Sequence, residues 1–131
     1  MEPARIQVRF SDLDLMGHVN NSVYLSYFEM ARVDYFAKIL GLGWDWNSQG
    51  IILVRNEIDY LKPILLHDKP LVFISLEDIG NKSFTLSYKI KVKENLVTTG
   101  KSVMVAYDSV ISKSVLIPKK MREALLKIHK P

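Results

Sequence analysis

Asp12-Leu13-Asp14-Leu15-Met16-Gly17-His18-Val19-Asn20-Asn21 gathers more reactive groups than any other ten positions of the chain: two carboxylates, the first histidine, a glycine and two helix-capping amides. Runs of different period lie on either side. Before it, Ile6, Val8 and Phe10 alternate with Arg5, Gln7 and Arg9, which predicts a half-buried strand over Arg5–Phe10. After it, from about Ser22 to Leu40, Tyr24, Tyr27, Phe28, Ala31 and Tyr35 recur at helical spacing, and Val23, Leu25, Phe36, Ile39 and Leu40 add apolar surface on other faces. A helix apolar over most of its circumference belongs in an interior. Asn20, Asn21 and Ser22 are all good N-caps, and Gly41 stands where a glycine ends a helix. At 1.5 Å per residue the helix is about 28 Å long. Glu29 and Arg32, three apart, are expected to pair on its surface.

Further out, Gly41–Gly50 holds both tryptophans and reads as a loop. Ile51–Leu61 is extended, with Ile52, Val54, Ile58 and Tyr60 on one face, Asn56 as a polar member of that row, and Pro63 as its stop. His67-Asp68 is a turn. Leu71–Ile79 is a third strand, and Gly80-Asn81 a hairpin signal. In Ser83–Lys93 the apolar Phe84, Leu86, Tyr88, Ile90 and Val92 alternate with polar residues, one face on a core and the other in water. Glu94-Asn95 turns the chain into a last long strand, Val97–Tyr107, where Gly100 marks a bulge or a close approach. Ile117-Pro118 opens a short basic helix that runs to about Ile128.

The order is strand, long helix, four strands in meander, short helix: an α+β class. Only the sheet is available to bury the helix. The expectation is an antiparallel five-stranded sheet wrapped around one long central helix, with a short C-terminal helix. A sheet of that size cannot cover a helix that is apolar all round, so a second copy of the chain is expected to complete the burial.

Composition narrows the chemistry. The 131 residues fit one domain spanning 1–131, with 48% hydrophobic and 24% charged residues, as in a globular chain. The absence of cysteine excludes disulfides, thiolate metal sites and cysteine nucleophiles, and suits a reducing compartment. Met1–Phe10 has no apolar core of signal-peptide length, and no run reaches the roughly 20 apolar residues of a membrane span. A cytoplasmic protein with no membrane partner is expected. The net charge is +4 and the pI about 9.3. The basic residues are scattered, which describes a solvated surface rather than a nucleic-acid stripe, so no nucleic-acid partner is expected. His18, His67 and His129 are too dispersed for a zinc triad, and no metal ligand is assigned.

Phe10-Ser11-Asp12-Leu13-Asp14-Leu15-Met16-Gly17-His18-Val19-Asn20-Asn21 resembles the signature of the hotdog-fold acyl-CoA thioesterases of the 4-hydroxybenzoyl-CoA thioesterase type. Ser22-Val23-Tyr24-Leu25-Ser26-Tyr27-Phe28-Glu29-Met30-Ala31-Arg32 is similar to the start of their central helix, and Ile58-Asp59-Tyr60-Leu61-Lys62-Pro63 to the end of their second strand. The resemblance in element order covers nearly the whole chain. It implies that Asp14 is the catalytic carboxylate, as nucleophile or as general base for water, and that the Asn21 main-chain N–H polarises the thioester carbonyl. It implies substrate contacts at Gly17 and His18 of the loop, and at Lys82, which would meet CoA phosphates. Some relatives carry arginines just before that lysine, where this chain has Gly80 and Asn81. Dimers or tetramers with sites at subunit interfaces are implied, and no cofactor beyond the CoA of the substrate.

The residues fit that chemistry independently. A thioester carbonyl under attack becomes an oxyanion and needs a donor aimed at it, with a base or nucleophile opposite. A helix N-terminus supplies free N–H groups and a positive dipole end. A carboxylate seven residues earlier, on a loop turned by Gly17, can curl back over it. Asp14 also reads as an ordinary turn carboxylate accepting main-chain N–H groups. Asp12 is expected to bond the loop, and His18 to act as a hydrogen-bonding strut rather than a base. Glu29 is a helix-borne base in another branch of hotdog thioesterases, but a pair with Arg32 is favoured here. The acyl group should enter an apolar slot beside the central helix and a partner subunit, near Tyr24, Tyr27 or the Trp44–Trp46 loop. The expected function is hydrolysis of an acyl-CoA thioester to free acid and CoA. The competing readings are a thioesterase acting on acyl carrier protein, whose acidic surface a basic chain would also suit, and a non-catalytic acyl-thioester binding module.

Overall fold

Asn20 starts the long helix. Its Oδ1 accepts from the Ser22 main-chain N–H at 3.0 Å and from the Ser22 hydroxyl at 2.9 Å, which satisfies a donor the helix end leaves free. A 3-10 turn, Asn21–Val23, runs into helix α1, Tyr24–Leu40. Gly41 ends it at φ 81°, a left-handed value that glycine adopts without a Cβ penalty. In the computed structural model, which describes residues 1–131, α1 lies against an antiparallel sheet. The strands are β1 (Ala4–Arg5), β2 (Gly50–Tyr60), β3 (Leu71–Ile79), β4 (Ser83–Val92), β5 (Asn95–Asp108) and β6 (Lys113–Ser114), followed by helix α2 (Lys119–Leu125). Pro118 is the N-cap of α2.

The spatial order is β1-β3-β4-β5-β2, with the short β6 added on β5. The expected sheet around one helix is there, but the four later strands are not a simple meander. β2 pairs with β5, and β3 starts on the far side of β4. The segment 61–70, which contains Pro63 and Pro70, carries the chain across instead of closing a hairpin. The N-terminal strand is also shorter than expected. Ile6 and Val8 are buried, and Ile6 N–H still donates to the Pro70 carbonyl at 3.1 Å, but Phe10 is 81% exposed. A 3-10 turn at Phe10–Asp12 breaks the alternation there. The β4–β5 turn falls at Lys93 and Glu94, both at positive φ, so Asn95 already belongs to β5.

The face of β2 also differs from expectation, because a register shift between Leu53 and Arg55 places a bulge at Val54. Ile51 and Leu53 oppose the buried Ala106 and Met104; past the bulge Asn56, Ile58 and Tyr60 oppose Ser102, Gly100 and Thr98. The inner row therefore changes parity midway, as one extra residue requires, and Ile52 joins the outer face. Asn56 is the polar member of that inner row, and accepts from the Ser102 hydroxyl at 2.6 Å.

Beneath α1, Phe28 stacks on Tyr88 of β4 with ring centroids 4.1 Å apart. The same ring lies over Gly100 of β5, where an added Cβ would come 2.6 Å from Phe28 Cε2. Gly100 is the close-approach glycine. Phe84, Leu86, Tyr88, Ile90 and Val92 are all buried, as their alternation requires. α1 covers the β3–β5 side, and β2, the free edge, keeps Leu53 and Tyr60 of its inner row more than two-fifths exposed. Arg32 is not the surface partner expected for Glu29. It is 7% exposed, and its Nη1 donates to the Tyr88 hydroxyl at 2.9 Å, with Glu29 Oε2 3.7 Å from Nη2. Helical spacing identified the pair but not the side of the helix on which the arginine is enclosed.

Candidate active site

The reactive loop is a small hairpin. Asp14 N–H donates to the His18 carbonyl at 2.7 Å and Asn20 N–H to the Asp12 carbonyl at 2.8 Å, with Leu13 facing Val19 between them. Gly17 turns it at φ 77°, a conformation costly to any residue with a Cβ. Asp14 Oδ1 accepts from the main-chain N–H groups of Met16 at 2.9 Å and His18 at 3.2 Å. Asp14 Oδ2 takes no hydrogen bond from the chain. One oxygen thus fixes the loop and the other is free for chemistry.

Two tethers hold the hairpin to the core. Val19 N–H donates to the Ile64 carbonyl at 2.8 Å. Asp12, 3% exposed, accepts from the Tyr27 hydroxyl of α1 at 2.7 Å and from Arg9 N–H at 3.0 Å. Burial works against the Asp12 charge, but the Arg9 main chain, the Tyr27 hydroxyl and the Arg9 guanidinium together hold its carboxyl below the usual carboxylate range. Burial, reinforced by that carboxylate, pushes the Tyr27 phenol well up. Asp12 therefore bonds the loop, as expected. A carboxyl with a depressed folded-state pKa stabilises the fold above its unfolded pKa, and that contribution disappears as pH falls through the folded pKa. Tyr27→Phe removes one stabilising bond, so it should cost about 1–2 kcal/mol at neutral pH. Its acid unfolding should also begin at a higher pH than in the parent, which far-UV circular dichroism across an acid titration will show.

The hairpin returns the chain to the tip of α1. Ser22 N–H and Val23 N–H are taken by Asn20, through its side chain and its carbonyl, while Asn21 N–H has no acceptor in the chain. A free donor at a helix N-terminus is where an oxyanion is best held. Tyr60, at the end of β2, donates its hydroxyl to the Asn21 carbonyl at 3.0 Å and packs edge-on against Tyr24 at 4.9 Å. Burial pushes the Tyr24 phenol up, with the neighbouring Tyr60 and the Asp14 charge adding to the rise. The sequence places Tyr60 at the end of a strand but carries no signal that it ties that strand to the helix tip.

Asp14, Gly17, His18 and Asn21 come together in one hairpin and one helix tip. Lys82 does not join them. Its carbonyl accepts from Ala106 N–H, whereas Tyr60, beside Asn21, pairs with Thr98. The eight-residue step along β5 from Thr98 to Ala106 puts Lys82 about 26 Å away, at the other end of the subunit. The His18 contacts that hold Asp14 come from its main chain, and its imidazole makes no hydrogen bond. The strut is therefore the backbone rather than the ring. No group of three or more His, Asp or Glu side chains is placed to hold a metal ion.

Two clefts of about 610 and 560 Å³ flank the N-terminal segment and contain none of these residues. A cleft of about 280 Å³ opens between α1 and the inner face of β2, with Val33, Phe36, Trp46, Leu53 and Met104 among its walls. Leu25 on α1 and Tyr60 on β2 are both exposed.

Solved structures share this architecture. A predicted thioesterase from Bacillus stearothermophilus superposes with a TM-score of 0.89 at 25% identity, over 99% of this chain and 98% of that one. A thioesterase from Thermus thermophilus, solved with coenzyme A and zinc, gives a TM-score of 0.83 at 34% identity, over 96% of this chain and 92% of that one. The long-chain acyl-CoA thioesterase FadM of Escherichia coli K12 is 28% identical over 124 residues, 92% of this chain and 94% of its own length. The fold is the hotdog fold, and a match to the Thioesterase-like superfamily model over residues 8–125 makes this chain a member of that superfamily.

Proposed function

We propose that this protein is an acyl-CoA thioesterase in which Asp14 attacks the thioester carbonyl or activates water for that attack, while the Asn21 N–H holds the developing oxyanion. One observation carries the reading: a carboxylate with one oxygen anchored and the other free stands in the same hairpin that leads into a helix tip with an unused N–H. As a general base, Asp14 would take a proton from water, the hydroxide would add to the carbonyl carbon, and the intermediate would collapse with release of CoA thiolate. As a nucleophile, it would form an anhydride that water then cleaves. Gly17 and His18 would shape the wall facing the substrate. The E. coli relative named for long-chain acyl-CoA and the Thermus relative holding coenzyme A support the substrate class.

The acyl chain would run from the helix tip along α1 and β2 and end in the cleft near Trp46. A second copy of the chain would cover the exposed Leu25 and Val33 of α1 and the free edge of β2, and residues 1–131 would act as one domain in the cytoplasm. Lys82 stands too far from its own Asp14 to share a site within one chain, so a CoA phosphate contact would come from a second copy. Lys82→Ala should then raise KM for acyl-CoA about fivefold, the size of one exposed charge contact, with kcat little altered. An unchanged KM would remove Lys82 from the site. The deciding experiment is a thiol-release screen over acyl-CoAs of varied length and aromaticity. Release of thiol from none of them would leave a binding module as the better account.

A further inference from the structure

Two charged side chains are buried, Asp12 and Arg32. Asp12 is occupied by the Tyr27 and Arg9 donors. Arg32 is not fully occupied, and the hydrolysis above makes no use of it. We infer that Arg32 and Glu29 form a hydroxyl-recognition subsite at the inner end of the acyl slot, so that the favoured substrate is a long acyl chain hydroxylated far from its thioester. The inference rests on the acyl-CoA reading of the site.

A buried guanidinium is costly unless its donors are satisfied. Arg32 gives one hydrogen bond, from Nη1 to the Tyr88 hydroxyl at 2.9 Å. Its Nη2 is 3.7 Å from Glu29 Oε2, beyond hydrogen-bonding distance. The one fully buried side-chain atom without a partner is the Thr98 hydroxyl, so the spare donors of Arg32 still reach solvent. They reach it through the cleft between α1 and β2, which both Arg32 and Glu29 line. The other walls there are mostly apolar.

Arg32 Nη2 and Glu29 Oε2, 3.7 Å apart at the cleft wall, are too far apart for a direct hydrogen bond, and one oxygen lying beside them in the cleft can touch both. That oxygen must accept from Arg32 and donate to Glu29. A water does both, and so does a hydroxyl carried in on an acyl chain. A terminal carboxylate would be repelled by Glu29, which is 73% exposed at its side chain and already balances the arginine. A ketone would accept from Arg32 but offer Glu29 no proton. A plain methylene would displace the bridge and leave Arg32 with its Tyr88 bond and only the long Glu29 contact. Asn21, Leu25, Glu29, Arg32 and Phe36 follow one stripe of the helix. Arg32 lies eleven residues along it from Asn21, about 16 Å. The matching hydroxyl is therefore distal, not beside the thioester.

The test compares kcat/KM for hydroxyacyl-CoAs and unsubstituted acyl-CoAs of equal length, with the hydroxyl moved along the chain. The parent protein should favour the hydroxylated substrate at least about tenfold at a distal position, because a site built for a hydroxyl discriminates against the analogue that lacks it. Glu29→Ala changes an exposed side chain at a position that tolerates alanine in a helix, and it should bring that ratio close to one. Arg32→Lys, which keeps the charge but not the fork, should lower it as well. A second arm measures calorimetric binding of free ω-hydroxy fatty acids against plain fatty acids, with no turnover needed. Equal binding of the two, or a distal preference that survives Glu29→Ala, overturns the subsite. If no thioester is cleaved, the hydrolase reading fails, while the binding arm still decides whether the hydroxyl is recognised.

Discussion

Asp14→Asn is expected to cut kcat about a thousandfold, within the range supplied by a general base or nucleophile, and to leave the fold intact. A thousandfold loss corresponds to about 4 kcal/mol at the transition state. The separation of activity from stability follows from how the two carboxylate oxygens are used. Oδ1 accepts from Met16 and His18 main-chain N–H groups, and an asparagine Oδ1 can accept both. Oδ2, which the chain leaves free, becomes an amide nitrogen that can neither take a proton nor attack a carbonyl. Thermal unfolding should therefore match the parent, and acyl-CoA should still bind. Asp14→Ala would be a poorer probe, because it removes the two loop bonds together with the reactive oxygen. Near-normal thiol release by Asp14→Asn would eliminate Asp14 as the catalytic group and return it to the role of a turn carboxylate.

Gly100→Ala should destabilise the protein by about 3 kcal/mol, at the upper end of what overpacking a filled core usually costs. The new methyl would lie 2.6 and 2.7 Å from two atoms of the Phe28 ring and 2.9 Å from the Glu57 carbonyl oxygen. The ring cannot retreat, because it is stacked on Tyr88 with the planes only 7° from parallel, and the carbonyl belongs to the adjoining strand. Urea unfolding should show a lower midpoint with an unchanged slope. Phe28→Leu placed in the Gly100→Ala background should recover part of the loss, since the two positions share one space. A cost below about 1 kcal/mol would show that α1 can lift from the sheet at little expense.

Much of this arrangement is legible in the chain. The period change at Asn20–Ser22, the glycine at 41 and the clean alternation of Ser83–Lys93 mark the helix and the central strands, because local sterics and burial write directly into spacing. Gly100 could be singled out for a similar reason: a glycine inside an apolar strand has few other uses. Strand order was not legible. Whether β2 lies beside β3 or beside β5 depends on where a ten-residue connection travels, and no side-chain period records that. The inner row of β2 differs from the one its alternation predicts because one bulged residue at Val54 reverses parity without leaving a sequence mark. Arg32 looked like half of a surface pair because i,i+3 spacing says that two residues meet, not whether the sheet closes over one of them. The candidate site was legible as a cluster, but the division of labour within it was not. The free Asp14 oxygen, the unclaimed Asn21 N–H and the Tyr60 bond are properties of hydrogen-bond partners, which appear only in three dimensions.

The reactive hairpin has little slack. Asp12 is bonded into α1 through Tyr27, Val19 to the Ile64 carbonyl and Asn20 to the helix start. Re-aiming Asp14 would mean breaking bonds that also hold the core together. New preferences among descendants of this chain should therefore arise by altering the walls of the α1–β2 cleft, in β2 and the tryptophan loop, while the chemical apparatus is inherited whole. Evolvability is concentrated where the scaffold is least constrained, and the chemistry is kept where the scaffold is most constrained.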